Sequence, residues 1–162
     1  MTNERDHEHL IETPDEAQFI WEQIVVAIQE TKRTDLLQNP TVLDLGGRNG
    51  EFAKQLEEQG IRSVSLDKAR IETNRGANQV RANAYKMPFP SGSFDIILCN
   101  SLFDAYIYNL DYAKLLQEII RVLKQNGILS IFAPRPLPRE MEEHFRLIAS
   151  EGQGSLTLWV KK

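Results

Sequence analysis

Three glycines within five residues are the part of this sequence best suited to bind a ligand. Gly46, Gly47 and Gly50 follow a short apolar and β-branched segment, Thr41–Leu45, which is typical of a buried strand. Residues 51–59 then have the apolar spacing of a helix. A glycine turn between a strand and a helix lets a ligand approach the backbone, and the helix start offers free N–H groups. The sequence therefore predicts a cofactor site at this turn of an α/β fold.

Two acidic residues are spaced to serve the same site. Asp44 lies at the carboxyl end of the first predicted strand, where it adds a negative charge beside the glycine turn. Asp67 ends a second predicted strand, residues 62–66, and follows Asp44 by 23 residues. That separation is near the ~20 residues expected for an acid that binds ribose hydroxyls, and a carboxylate can accept from both hydroxyls. Helix capping is the alternative role for both acids.

The glycine spacing differs from two common nucleotide-binding motifs. In the dinucleotide fingerprint G-x-G-x-x-G, a start at Gly46 would need a glycine in place of Arg48. A start at Gly47 would need one in place of Asn49. The Gly-Lys-Ser/Thr sequence of a phosphate-binding loop is absent, and the carboxylate of Asp44 suits a cationic ligand better than a pyrophosphate. A tight turn without any ligand is the simplest alternative.

The turn resembles motif I of the class I S-adenosylmethionine-dependent methyltransferases, Asp-x-Gly-x-Gly-x-Gly. In this chain the motif reads Asp44-x-Gly46-x-Arg48-x-Gly50, so that an arginine replaces the middle glycine. The spacing to Asp67 is a second point of resemblance.

Two later segments strengthen the resemblance. Residues 82–95, Ala-Asn-Ala-Tyr-Lys-Met-Pro-Phe-Pro-Ser-Gly-Ser-Phe-Asp, are similar to the family stretch Gly-Asp-Ala-x-x-Leu-Pro-Phe-x-Asp-Gly-Ser-Phe-Asp. Residues 118–127, Glu-Ile-Ile-Arg-Val-Leu-Lys-Gln-Asn-Gly, are similar to the family's Glu-x-x-Arg-Val-Leu-Lys-Pro-Gly-Gly. The four matches occur in family order across roughly residues 40–133. Their order and spacing are more specific than any single match.

The resemblance implies an S-adenosylmethionine site at the carboxyl ends of the strands. In the family, an aspartate at the position of Asn83 accepts from the adenine amine, and Asn83 can accept through its side-chain oxygen. Asn100 follows the fourth predicted strand, Phe94–Asn100, and therefore lies at the same edge. The residues that we assign to the cofactor are Asp44, Gly46, Gly47, Gly50, Asp67, Asn83, Ala84 and Asn100.

Methyl transfer is the activity that the resemblance implies. Holding the nucleophile and the methyl group in line lowers the barrier, so no dedicated catalytic residue is assigned. Amine methyltransferases of nucleic acids carry Asn/Asp-Pro-Pro-Tyr/Phe where this chain has Asn-Ser-Leu-Phe at residues 100–103. The prolines are absent and the chain has no long basic stretch, so we expect a small-molecule acceptor rather than nucleic acid.

A second function stays open. Arg48, Asn83 and the short connection after Asp67 are also compatible with a degenerate relative that binds the cofactor weakly or not at all and has a regulatory or scaffolding role. Family members normally end in an antiparallel hairpin of two strands, and only one C-terminal strand is predicted here, which also favours a degenerate relative.

Composition and length indicate one globular domain. The chain has 162 residues, of which 41% are hydrophobic and 26% charged, and its net charge is −4. We expect a mobile arm over residues 1–12 and one methyltransferase-like domain over residues 13–162. The longest apolar run, residues 24–28, is far below the ~20 residues that span a bilayer. The lone cysteine, Cys99, predicts a buried core thiol in a cytoplasmic protein. A homo-oligomer is left open.

Strands that alternate with helices predict a Rossmann-like three-layer sandwich, with a mostly parallel sheet of about six strands and helices on both faces. A capping-box sequence predicts a first helix that starts at Pro14. The other predicted elements are at most a turn or two of helix in residues 70–78, a helix at 110–124, a strand at 127–133, a last helix at 140–151 and a final strand of open direction at 156–160. A C-terminally shortened member of the family is therefore expected.

Several residues near the strand ends have two interpretations. Tyr106, Tyr108 and Tyr112 could wall a substrate pocket, although packing is the commoner role. Arg135 and Arg139 flank prolines after the fifth strand, in a stiff solvated connection or against an anionic substrate. The histidines predict no metal site.

Overall fold

The structure of the protein is a computed structural model. It describes residues 14–47, 50–68, 78–100, 102, 110–132, 137–151 and 156–162. Five of the predictions concern residues outside these ranges: the arm at 1–12, the connection at 70–77, Arg48, the tyrosines at 106 and 108, and Arg135.

The described part of the chain contains four α-helices, one 3-10 helix and seven strands. The α-helices are α1 Pro14–Glu30, α2 Glu51–Glu58, α3 Tyr112–Val122 and α4 Met141–His144, and the 3-10 helix is Thr34–Leu37. The strands are β1 Thr41–Leu45, β2 Arg62–Asp67, β3 Gln79–Arg81, β4 Phe94–Asn100, β5 Leu123–Phe132, β6 Phe145–Glu151 and β7 Leu156–Lys161.

All seven strands form one sheet in the order β3-β2-β1-β4-β5-β7-β6. The first five strands pair in parallel, whereas β7 is antiparallel to both β5 and β6. The strand order reverses between β1 and β4, because the chain moves outward from β1 to β3 and then returns to the other side of β1. In sheets of this kind a ligand binds beyond the carboxyl ends of the strands at this reversal.

Helices cover both faces of the sheet, as the sequence predicts. On one face, Ile24 of α1 and Leu56 of α2 pack with Val42 and Leu98 of the strands. On the other face, helices α3 and α4 pack against the strands in a second core that includes Ile119. Because apolar positions of successive strand residues alternate between these two cores, both faces of the central strands are buried. The three-layer sandwich is therefore confirmed.

The C-terminal prediction is wrong in two respects. The helix expected at residues 140–151 ends at His144, and Phe145–Glu151 is an antiparallel strand paired with β7. The sheet therefore has seven strands rather than about six, and the terminal hairpin expected to be missing is present. A short apolar pattern cannot separate helix from strand, and here the ladder with β7 decides in favour of the strand.

The boundary between α3 and β5 also differs from the prediction. The helix ends at Val122, two residues earlier than expected, and Leu123 already pairs with Phe94 of β4. A register shift follows in that ladder between Phe94 and Ile96. The chain therefore passes directly from helix to strand, and β5 is longer than the predicted 127–133 segment.

Candidate cofactor site

The glycine turn has the geometry that the sequence predicts. Gly46 follows β1 with a φ of +79°, and its N–H donates to the carbonyl oxygen of Leu66 at 2.8 Å. Gly50 has a φ of +74° and caps the start of α2, and its N–H donates to the carbonyl oxygen of Gly47 at 2.8 Å. Both positive φ values lie in the region that favours glycine. Strand, glycine turn and helix are thus confirmed, although residues 48 and 49 are outside the described part.

Close packing explains a second requirement for glycine at this turn. A Cβ atom on Gly47 would overlap the Oδ2 atom of Asp44 and the Oγ atom of Ser65. A Cβ atom on Gly50 would overlap the side chain of Gln79. The space freed by these two glycines is therefore taken by the protein's own polar side chains. The sequence prediction did not include Ser65 or Gln79.

Asp44 is a buried acid with no hydrogen-bond partner for its Oδ2 atom among the described residues. Only 2% of its surface is exposed. Burial and, to a smaller extent, the negative charge of Asp67 together raise the pKa of Asp44 from 3.8 to about 7. Removing a carboxylate from water without a partner is costly, so this position favours a ligand that brings a donor or a positive charge.

Asp44 belongs to a row of buried polar side chains on the α1 and α2 face of the sheet. In the ladder register, Asp44 lies opposite Ser65 in β2 and opposite Leu98 in β4, and Leu98 lies opposite Ser130 in β5. Asn100 is two residues beyond Leu98 and therefore on the same face. One side-chain oxygen on each of the four polar residues lacks a hydrogen-bond partner within the described ranges. The only signal for Ser65 and Ser130 was a serine inside a predicted strand, which is alternating around Ser65 and apolar around Ser130.

Asp67 and Asn100 lie at the edge that the sequence predicts. Asp67 is the last residue of β2, is half-buried, and is opposite Arg81 at the end of β3. Its charge acts on the pKa of Asp44, so the two acids are neighbours at adjacent strand ends. Asn100 is the last residue of β4 and is half-buried. The sheet therefore brings Asp44, Asp67 and Asn100 to the carboxyl ends of three adjacent strands.

Asn83 and Ala84 follow β3 and start the segment that leads to β4. The side-chain oxygen of Asn83, which is exposed, accepts from the backbone N–H of Tyr85 at 2.9 Å. An amide oxygen has two lone pairs, so one acceptor position is used within the chain and one is left. Ala84 is half-buried and packs against the core on the α3 face. The predicted roles of Asn83 at the adenine and of Ala84 at the cofactor stay predictions.

Other predictions concern residues around the site. Cys99 is fully buried in the core, as predicted. Burial and, to a smaller extent, the negative charge of Asp44 raise the pKa of its thiol. Tyr112 is the first residue of α3 and packs against the core. Arg139 is exposed. Over the described ranges there is no cluster of three metal-binding side chains, and no helix is long and apolar enough to cross a membrane.

Comparison with known proteins agrees with this geometry. The family described as methyltransferase domain matches residues 43–131, which is more than half of the chain. The chain belongs to the methyltransferase domain family. All eight residues assigned to the cofactor lie inside the matched range.

The relatives of this methyltransferase domain are longer proteins. It is 29% identical over 136 residues to the uncharacterized methyltransferase YcgJ of Bacillus subtilis, covering 73% of this chain and 53% of that protein. It is 34% identical over 101 residues to an uncharacterized protein of Methanocaldococcus jannaschii, covering 62% of this chain and 39% of the other. The chain thus spans about half the length, or less, of these curated relatives.

Solved structures support the same fold for the methyltransferase domain. A TehB-like SAM-dependent methyltransferase of Corynebacterium glutamicum has a TM-score of 0.60 at 16% identity, over 93% of this chain and all of that chain. The 1,6-didemethyltoxoflavin-N1-methyltransferase of Burkholderia thailandensis, solved with 1,6-didemethyltoxoflavin and S-adenosylhomocysteine, has a TM-score of 0.52 at 17% identity. The shared region covers 93% of this chain and 89% of the Burkholderia enzyme. At these identities the likeness concerns the fold.

Proposed function

We propose that this methyltransferase domain binds S-adenosylmethionine at the glycine turn and catalyses transfer of its methyl group to a small-molecule acceptor. The observation that carries the proposal is the buried carboxylate of Asp44, whose Oδ2 atom has no partner among the described residues. This acid lies directly below a glycine turn and beside a second acid, Asp67, at the strand-order reversal. A ligand with a positive charge and several hydroxyl donors suits such a pair of acids.

Each assigned residue has a distinct binding role in this proposal. Asp67 accepts from the ribose hydroxyls, because a carboxylate at a strand end can accept two hydrogen bonds side by side. Asp44 compensates the positive charge of the methionine end. Gly46 lets the cofactor approach the backbone, Gly47 leaves room for the Asp44 carboxylate below the turn, and the start of α2 after Gly50 contributes donors.

For methyl transfer, the main task of the protein is to orient the cofactor and the acceptor. S-adenosylmethionine supplies a methyl group that is activated by attachment to a sulfonium. Placing an acceptor in line with such a group lowers the barrier without a side-chain base, unless the acceptor must first lose a proton. Asn100 borders the site at the end of β4, where its half-buried amide can hold a polar atom of the cofactor or acceptor.

A small-molecule acceptor is supported by charge and by one structural relative. The net charge of −4 and the lack of a long basic stretch disfavour a polyanionic nucleic acid. The Burkholderia enzyme, which shares the fold, acts on 1,6-didemethyltoxoflavin, as its name states.

Calorimetric titration tests the proposal directly. The protein is titrated with S-adenosylmethionine, with S-adenosylhomocysteine and, as a control, with NAD. Micromolar binding of the first two without binding of NAD supports the proposal and justifies a screen of small methyl acceptors. Absence of binding by a protein that is folded by circular dichroism refutes it.

A cofactor-free relative with a regulatory role is the second candidate. Two observations favour it: the side chain of Gln79 packs against Gly50, and the oxygen of Asn83 already accepts a backbone hydrogen bond. The C-terminal hairpin counts against it, because β6 and β7 complete the sheet. The same titration separates the two candidates.

A further inference from the structure

The segment from residue 82 to residue 93, which carries Asn83 and Ala84, has no helix or strand of its own and runs along α3. Near its start, the phenolic oxygen of Tyr85 accepts from the backbone N–H of Asp111, directly before α3. Near its end, the N–H groups of Gly92 and Ser93 donate to backbone carbonyl oxygens of the last turn of α3 at 2.9 and 2.8 Å. Helix α3 therefore holds this 82–93 segment at both ends.

An ion pair on α3 holds the middle of the same segment. One oxygen of Glu118 accepts from the backbone N–H of Met87 at 2.8 Å. The guanidinium of Arg121 donates to the carbonyl oxygen of Met87 at 2.9 Å and to that of Phe89 at 2.6 Å. Arg121 also donates to the carboxylate of Glu118, from Nε to Oε1 at 2.8 Å and from Nη2 to Oε2 at 2.7 Å. Together the two side chains satisfy three backbone groups that have no ladder or helix to pair with.

The chemistry of this pair suits it to fix a backbone in one position. A guanidinium is planar and always charged, so its donors meet two carbonyl oxygens and a carboxylate in one fixed geometry. The pair is partly shielded, with 34% of the Arg121 side chain and 17% of the Glu118 side chain exposed. The segment's own apolar side chains add to the fixation, since Met87 is buried and the ring of Phe89 meets that of Phe94 edge-on.

Resting on the proposed function, we infer that Glu118 and Arg121 are positioning residues for the cofactor. They hold the 82–93 segment on α3 and thereby set the place of Asn83 and Ala84 at the adenine side of the site. The pair acts through the backbone of residues 87 and 89 rather than by contact with the ligand. Loosening the pair should therefore reduce recognition of the adenine more than recognition of the rest of the cofactor.

A second ion pair, between Lys124 and Asp95, provides the control. Lys124 binds both oxygens of Asp95 at 2.9 Å, and 44% and 20% of these side chains are exposed. Asp95 also accepts from the backbone N–H of Thr41, at the amino end of β1. This pair resembles Glu118–Arg121 in exposure, but its hydrogen bonds reach the backbone of β1 and not that of the 82–93 segment. Lys124→Met should lower stability without changing adenine recognition.

The test compares dissociation constants for S-adenosylhomocysteine and S-inosylhomocysteine, which carries an oxygen in place of the adenine amine. In the wild-type protein we expect the adenine form to bind more tightly. Arg121→Lys should weaken binding of the adenine form by roughly tenfold and affect the inosine form less, so that the preference falls. Tyr85→Phe, a milder change at the start of the segment, should lower the preference by a smaller factor, and Lys124→Met should leave it unchanged.

Each outcome decides one question. If the wild type binds neither nucleoside, the proposed function fails. If the wild type binds but the preference stays unchanged in folded Arg121→Lys and Tyr85→Phe, the positioning role is overturned while the proposed function stands. If Arg121→Lys does not fold, Tyr85→Phe alone decides. An equal loss of preference in Lys124→Met would also overturn the inference, because it would make the effect one of general stability.

Discussion

Asp44 of β1 and Ser65 of β2 are register partners, and a side-chain oxygen of each occupies the space that a Cβ atom on Gly47 would need. Both residues are 2% exposed, and neither oxygen has a hydrogen-bond partner among the described residues. A buried, unpartnered carboxylate lowers the stability of the folded state, so its presence below the glycine turn is best understood as a feature of a binding site.

The pH dependence of stability should report directly on Asp44. Its pKa is raised from 3.8 to about 7, so the folded protein holds this proton more tightly than the unfolded chain. The free energy of unfolding of the ligand-free protein should therefore fall as pH rises through that window, by about 3 kcal/mol between pH 5 and pH 8. Asp44→Asn should remove this slope, as measured by urea unfolding at several pH values. Ser65→Ala keeps the carboxylate and should keep the slope; parallel profiles for wild type and Asp44→Asn would contradict the assignment.

Gly47→Ala should destabilise the protein through overlap rather than through backbone strain. The added Cβ would meet the oxygens of Asp44 and Ser65, and overpacking of this kind costs ~2 kcal/mol. Gly60→Ala is the control, since its φ is +80° but open space surrounds it, and it should cost only ~1 kcal/mol. Adding Ser65→Ala to Gly47→Ala should recover part of the loss in a double-mutant cycle. Equal losses at the two glycines, without recovery, would show that overlap is unimportant.

Patterns of neighbouring residues were sufficient to predict the half of the fold that forms the candidate site. The strand Thr41–Leu45, the glycine turn and the stop at Gly60 are all set by nearby residues, and each occurs where the sequence predicts it. The acids at the ends of β1 and β2 follow from the same signals, because a parallel sheet brings its carboxyl ends to one edge.

Other features depend on tertiary contacts that the sequence does not display. Residues 145–151 could form either a helix or a strand by pattern, and pairing with β7 selects the strand. In β2 an alternating pattern does not reveal which face is buried, and here the serines are buried while Val64 is only half-buried. The contact of Gln79 with Gly50 joins β3 to the glycine turn, and no local pattern points to it.

Asp67→Ala should abolish measurable cofactor binding while leaving the fold intact. The carboxylate is proposed to accept from two ribose hydroxyls, and losing two charge-assisted hydrogen bonds weakens binding by roughly a hundredfold or more. Asp67 is half-buried at a strand end, so the thermal midpoint should change little. Calorimetric titration with S-adenosylhomocysteine measures the loss. Asp35→Ala, at an exposed acid in the 3-10 helix, is the matched control, and unchanged affinity in Asp67→Ala would rule out the assigned ribose site.

Substitutions in β6 should follow the burial that the structure gives each of its side chains. Phe145 is 1% exposed and packs in the α3 face core, whereas Leu147, two residues later, is 46% exposed. Phe145→Ala should therefore lower the free energy of unfolding by ~3–5 kcal/mol through the cavity it leaves. Leu147→Ala should change it by no more than about 0.5 kcal/mol, because an exposed side chain loses little packing. Urea unfolding of both variants checks this contrast, and a large loss at Leu147 would mean that the hairpin packs in a different register.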